Sequence, residues 1–190
     1  PDNVFVDHSI LNIREKKYDL EYINALILFP KVFIENLLLY PYGRLKNIRG
    51  IRYLWRYFKK AYFQFCALKR FINTNGIADN TIFYSYWFNR ASLALAIAKK
   101  RGRIINYISR IHGIDLHDDR WEPNIMPFRN FQIKYVNRLF AISSYNKVYL
   151  DQRIFPKFRD KIEISYLGIN IPEIIQIGRA SCRERVCHRV

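Results

Sequence analysis

Acidic residues are scarce in this chain: 16 Asp and Glu stand against 32 Lys and Arg over 190 residues, a formal charge of +16. Such an imbalance favours an anionic partner: nucleic acid, an anionic membrane surface or a phosphorylated substrate. Cysteine is sparse too. Cys66 lies in an apolar, aromatic run, and Cys182 and Cys187 lie near the end. No disulfide framework and no Cys-x-x-Cys pair can be drawn from them, and a reducing cytoplasm fits best. With only 7 glycines there is no Gly-x-x-x-x-Gly-Lys or Gly-x-Gly-x-x-Gly loop to cradle phosphates, and no Gly-x-Ser-x-Gly elbow. Long apolar runs are missing as well. The most apolar region, Ile23 to Tyr40, is interrupted by Pro30, Lys31 and Glu35, short of the roughly 18 uninterrupted residues a spanning helix needs. The opening Pro1-Asp-Asn is neither a signal peptide nor an initiator methionine, so the chain is expected to begin inside a longer one.

What is present is a globular composition, 50% apolar and 16% aromatic, which excludes a disordered chain. Asn3 to Ile10 reads as a strand and Leu11 to Tyr18 as a surface connection. Ile23 to Leu39 reads as two helical pieces broken at Pro30. Residues 36–78 form a basic section without a single acid. Ile51, Leu54, Trp55, Phe58, Tyr62 and Phe65 recur there at helical spacing, with the cations turned largely elsewhere. Two readings are open. One is an interfacial helix with aromatic residues in the headgroup boundary and Arg49, Arg52, Trp55, Arg56, Lys59 and Lys60 facing anionic lipid. The other is a helix packed on its own domain with a solvated basic back. The missing acids favour the first.

After the turn cluster Asn73 to Gly76, the pattern becomes regular. Thr81 to Trp87 reads as a strand. Asn89 is placed to cap a helix from Arg90 to Arg101, closed by Lys99, Lys100 and Gly102. Ile104 to Ser109 is the next strand. Pro127 opens a helix with Phe128, Phe131, Tyr135 and Leu139 on one face. Leu139 to Ser143 is a third strand, and Ser143 or Ser144 caps a helix to about Arg153. Ile162 to Leu167 is a fourth strand, stopped by Gly168. Strands and helices alternating over short connections predict right-handed crossovers and an α/β fold: a Rossmann-like parallel sheet with flanking helices. The Asn3 strand is expected in the same sheet.

Polar chemistry concentrates just past the second strand, in Arg110, His112, Gly113, Asp115, His117 and Asp118. In an open parallel sheet, ligands gather beyond the carboxyl ends of the strands. His112, Asp115, His117, Asp118 and Asp119 do not make a convincing metal site, because all come from one loop. A non-metal role suits them better. His112 beside Gly113 places an imidazole where a ligand can come close, and Asp115 can orient it or bind a hydroxyl. A structural histidine with Asp115 capping a turn is the competing reading. Tyr84-Ser-Tyr-Trp87 offers rings to stack on a sugar or to fill the core. Alternation places Tyr84 and Tyr86 on one face, and Ser85 and Trp87 on the other. Ile177 to Val190, with Cys182, Cys187 and His188, resembles translated adapter sequence, and residues 173–190 are set aside from the fold.

Four motifs come in fixed order: Tyr84-Ser-Tyr-Trp87, Ser109-Arg-Ile-His-Gly-Ile-Asp-Leu116, Phe140-Ala-Ile-Ser-Ser144 and Lys161-Ile-Glu-Ile-Ser-Tyr-Leu-Gly-Ile169. Together they resemble the N-terminal, acceptor-side domain of bacterial family-four glycosyltransferases with the two-domain GT-B fold, used in capsule, O-antigen and exopolysaccharide assembly. The resemblance spans about Asn3 to Pro172. It implies that residues 1–172 are an incomplete N-terminal domain, that His112 lies beside the donor sugar with Asp115 next to it, and that Arg110, Gly113, Tyr86, Trp87 and Ser143 bind substrate. It implies transfer with retention, from a nucleotide sugar held by a separate C-terminal domain, to a glycan or lipid-linked acceptor. No metal or other cofactor is implied. The basic section would face the inner leaflet of the plasma membrane, a peripheral cytoplasmic location, and nucleic acid is not expected. The family's first strand with its glycine-containing loop, its Arg/Lys pair and its Glu-x₇-Glu pattern have no counterpart here, so this polypeptide is expected to be inactive alone. The alternative from another class is a non-catalytic basic α/β module binding an anionic membrane surface or nucleic acid.

Overall fold

A computed structural model of the chain describes residues 19–39, 48–117, 126–154 and 156–167. The elements in order are α1 (Asp19–Leu39), α2 (Ile48–Asn75), β1 (Ile82–Ser85), α3 (Arg90–Lys100), β2 (Asn106–Ile111), a single turn α4 (Gly113–Leu116), α5 (Arg129–Tyr135), β3 (Arg138–Ala141), α6 (Ser144–Asp151), a 3₁₀ stretch Pro156–Lys161 and β4 (Ile162–Ile164). The strands form one parallel sheet in the order β1-β2-β3-β4. The fold is α/β and Rossmann-like, as the alternation predicts. The expected Asn3 strand, the Leu11 to Tyr18 connection, Gly168 and the tail from residue 173 lie outside the described residues.

Sequential strand order has a direct consequence. Right-handed crossovers between consecutive neighbours bring their helices to the same face of the sheet. The burial pattern agrees. Phe83, Ser85, Tyr107, Ser109, Ile111, Leu139 and Ala141 are buried, while their alternates Ile82, Tyr84, Arg138 and Glu163 are exposed. Helix α3 lies between the sheet and α2, and its Leu93 to Ile97 run is buried all round. Alanines at 94, 96 and 98 keep that helix thin enough to be covered on both sides.

The ends of α3 follow the expected chemistry. Asn89 Oδ1 accepts from the Ala91 N–H at 2.9 Å, and Gly102 takes a φ of 64° just after the last turn. All four strands are shorter than expected or shifted; the third is Arg138–Ala141 in place of Leu139 to Ser143. The first ends at Ser85 because the Ser85 hydroxyl donates to the Trp87 carbonyl at 2.6 Å and turns the chain there. The second runs to Ile111, so Arg110 belongs to the strand and not to the loop after it. The fourth stops at Ile164. Leu139 is the second residue of β3 and not part of the α5 face, since α5 ends at Tyr135.

Pro30 does not split α1, which is one helix through it. Pro30 and Leu26, whose carbonyl loses its usual partner, are both exposed. On the opposite face Ala25, Leu28, Val32 and Asn36 are buried. The unmet carbonyl therefore stands on the solvent side, and tertiary packing keeps the turns on either side in line. Helices α1 and α2 pack antiparallel, with Cys66 Sγ donating to Glu21 at 3.0 Å and Phe29 ringed by Trp55 and Phe58. Burial first, and then the Glu21 carboxylate, push the Cys66 thiol up to about 12, which leaves it an unreactive packing group.

Glu35 joins three helices. It pairs with Lys100 of α3, with Lys134 of α5 at 2.5 Å and with the Tyr135 hydroxyl at 2.8 Å. Burial alone would raise its pKa, but these hydrogen bonds and the Lys100 charge outweigh that and hold the carboxyl below its ordinary value.

Of the two readings of the basic section, the packed helix is the observed one. Leu54, Phe58, Tyr62 and Phe65 are 0–6% exposed against the chain's own core, so these rings do not enter a headgroup layer. Trp55 is turned towards α1, in contact with Tyr22, Phe29 and Phe58. The cations Arg49, Arg52, Arg56 and Lys60 are exposed and Lys59 is half-exposed.

Candidate functional site

Strands β1 and β2 end side by side, with Ser85 opposite Ser109. The Ser109 hydroxyl donates to the Ser85 carbonyl at 2.9 Å and pins the two ends together. His112 follows β2 directly in extended conformation, at the start of the α4 turn. Its ring centroid lies 4.8 Å from that of Tyr86 and 4.2 Å from that of Trp87. Strict alternation would have parted these two rings. The turn after Ser85 brings both to the imidazole, leaving Tyr86 exposed and Trp87 half-buried.

His112 is only 7% exposed, and neither ring nitrogen has a hydrogen-bond partner. Burial, then the positive charge of Arg110, lower its pKa from the ordinary 6.5. The imidazole is therefore neutral at pH 7, with one donor and one acceptor to offer. Two buried nitrogens without partners are an unusual arrangement in a native interior. They mark the place where a ligand group is expected.

Asp115, one turn on, has a carboxylate oxygen 3.7 Å from His112 Nδ1, longer than a hydrogen bond. Burial raises its pKa to about 6, while the backbone N–H groups of Phe88 and His112 act the other way. Phe88 N–H donates to Oδ2 at 3.2 Å. With the imidazole pushed towards neutrality and 3.7 Å between Nδ1 and the carboxylate, the two do not form an ion pair. They are adjacent polar groups: the imidazole has no hydrogen-bond partner, whereas the carboxylate is held by backbone N–H groups.

Beside them opens a cavity of about 450 Å³, within the usual size of small-molecule sites. Tyr53 and Tyr57 of α2 form one wall, Trp87 to Arg90 a second, and Ile114 with Asp115 a third. Met126, Pro127, Arg129 and Gln132 complete it. Burial holds the Tyr57 phenol well above its usual range, so it remains a neutral hydroxyl. Aromatic walls with a few polar groups suit a ring that bears hydroxyls. Next to the cavity Phe128 adopts φ 56°, ψ 21°, a left-handed conformation that costs a bulky residue about 1–2 kcal/mol. Its ring is fully buried against Phe29 and Phe58, and that burial outweighs the strain.

The structure thus brings together His112, Asp115, Tyr86 and Trp87. Gly113 opens α4 in helical conformation, so its contribution there is small size and not a positive φ. Arg110 reaches Ser165 Oγ at 3.0 Å from within β2 and influences His112 through its charge. Ser143 accepts from the Asn146 N–H at 3.2 Å, which makes it first of all the cap of α6. His117 packs on Tyr145 and Tyr149, and Asp118 and Asp119 lie outside the described residues. No group of three or more His, Cys, Asp or Glu side chains among the described residues could hold a metal. Tyr53, Tyr57, Arg90, Arg129 and Gln132 were not legible as site residues. The signal for the first two is their i, i+4 spacing on the flank of α2 between its apolar and basic stripes.

Comparison with known protein families, with curated proteins and with solved structures finds no match to this chain.

Proposed function

We propose that this chain is the acceptor-side domain of a retaining glycosyltransferase that moves a sugar from a nucleotide-sugar donor to a glycan acceptor in cell-surface polysaccharide synthesis, of the capsule or O-antigen kind. The observation that carries the reading is the neutral, partnerless His112 imidazole, held between Tyr86 and Trp87 at the carboxyl ends of two parallel strands and beside an aromatic cavity. The four motifs of the resemblance support it: the first three run off the ends of β1, β2 and β3, and the fourth takes in β4, in chain order.

In this reading the acceptor's terminal sugar enters the cavity, its ring against Trp87 or the Tyr53 and Tyr57 wall, its hydroxyls on Asp115 and its neighbours. His112 offers a hydrogen bond to a hydroxyl of the donor sugar. Being neutral, it does so without placing a charge against the positive character that develops at the anomeric carbon. Asp115 orients the imidazole once a shift of a few tenths of an ångström closes their gap. The nucleotide belongs to a second domain, so this chain binds acceptor without transferring sugar. No metal or other cofactor enters this scheme. The location that goes with it is peripheral, at the cytoplasmic face of the plasma membrane. No described helix is long and apolar enough to cross a membrane.

The test is saturation-transfer NMR of the chain with a panel of mono- and disaccharide glycosides. The expected result is millimolar or tighter binding of at least one glycoside, weakened about tenfold by Trp87→Ala. Absence of saccharide binding across the panel, or nucleotide release from nucleotide sugars by this chain alone, would overturn the reading.

A further inference from the structure

The cavity beside His112 has an electropositive end that the fold itself does not use. Arg90 is the first residue of α3, and no acid stands in the first turn of that helix. A cation there opposes the positive end of the helix dipole, where Asp or Glu is the stabilising choice. Arg90 is half-buried in the cavity wall beside Tyr53 and Tyr57, whose phenols feel its charge. It forms no ion pair with any acid among the described residues, Asp115 of the same cavity included. A half-buried guanidinium set against a dipole costs stability unless an anion meets it.

The second observation is Gln132, which is 1% exposed and lines the same cavity. Its Nε2 donates to the Pro127 carbonyl at 3.2 Å, while Oε1 has no partner. A buried acceptor left open calls for a donor, which a hydroxyl supplies and a carboxylate oxygen does not. The matching ligand carries both an anion and a hydroxyl, on a body that suits aromatic walls. A phosphate fits this place less well. Phosphate sites are built from successive backbone N–H groups, often on glycine-rich loops, and no described residue of this lining is a glycine. A planar carboxylate, in contrast, meets a guanidinium fork in two parallel hydrogen bonds.

We infer that the cavity selects an acidic sugar, a hexuronate or similar ring, whose carboxylate meets Arg90 while a ring hydroxyl donates to Gln132 Oε1. Asp115 belongs to the His112 end of the cavity, where it takes a hydroxyl and not the ligand's carboxylate. This inference rests on the sugar-transfer reading and adds to it the charge of the acceptor.

Titration of the full chain with matched glycosides, followed by NMR at neutral pH, tests it. The pairs are methyl glucoside against methyl glucuronide, and methyl galactoside against methyl galacturonide, which differ only in the carboxylate. At least one uronide is expected to bind about tenfold tighter than its neutral partner. Arg90→Gln should bring that ratio to about one, and Arg90→Lys should keep part of it, as a point charge without the fork. A thermal melt of Arg90→Gln at or above that of the wild type shows the variant folded, as relief from the dipole predicts. Equal affinity within every pair, or a uronide preference that survives in folded Arg90→Gln, would overturn the inference and leave the sugar-transfer reading standing. Binding of neither member of any pair would overturn both. Displacement of a bound uronide by inorganic phosphate at equal concentration would overturn it too, by assigning Arg90 to a phosphate.

Discussion

Asp115→Asn separates a carboxylate kept for function from one kept for structure. Burial raises the pKa of this acid from the ordinary 3.8 to about 6. The folded state therefore holds the proton more tightly than the unfolded chain. Stability falls as pH rises from about 4 to about 6, and remains at the lower level above that. At about 1.4 kcal/mol per pH unit, the gap corresponds to a penalty of about 3 kcal/mol at neutral pH. Asparagine removes the charge and keeps an oxygen for the Phe88 N–H, although the weaker acceptor gives back about 1 kcal/mol. The variant should thus be about 2 kcal/mol more stable than the wild type at pH 7.5. In urea that moves the midpoint up by about 1 M, with slopes of about 1–3 kcal/mol per M. The advantage should shrink through pH 5 and be gone by pH 4, where both chains carry a neutral group. The assay is urea unfolding followed by tryptophan fluorescence at these three pH values. A variant less stable than wild type at pH 7.5 would refute the reasoning and make Asp115 a structural cap. A more stable variant that no longer binds saccharide would show a charge held against its own stability for the sake of the site.

Other expectations are more local. The His112 imidazole, followed by NMR, should titrate below 6.5, because burial and Arg110 both oppose its charging; a pKa at or above 6.5 would mean that Asp115 pairs with it as an ion. Glu35→Gln should lower stability by about 1–2 kcal/mol at pH 7, since it leaves Lys100 and Lys134 without their shared carboxylate. That loss should fade as pH falls below the ordinary carboxylate range, where protonation removes the wild-type contribution, and a pH-independent difference would count against the triad. Asn89→Ala should cost about 1 kcal/mol in the same unfolding assay through loss of the α3 cap, and no change would show that the helix end is held by packing alone.

What local sequence determined about this protein is the kind of element and its ends. Alternation, the Asn89 and Ser143 caps and the Gly102 stop depend on neighbours within a turn or two, and they carried through to the α/β sheet. The His112 to Asp115 loop was legible for the same reason, as a polar cluster that follows an apolar strand. Tertiary structure decided the rest. Pro30 remains inside a helix because the Leu26 carbonyl that it leaves unmet stands on the solvent side while Ala25, Leu28 and Val32 are held by the core. Trp87 joins Tyr86 at His112 because one serine hydroxyl ends β1 a turn early. Tyr53 and Tyr57, read only as part of a basic helix, reach the cavity of Asp115 because α2 lies over α3. The row of exposed aliphatics, Leu20, Ile23, Ile27 and Ile34, proved to belong to α1 and not to α2. Amphipathic spacing specifies that a helix has an apolar side, but only the packed neighbours determine which apolar side is left facing out.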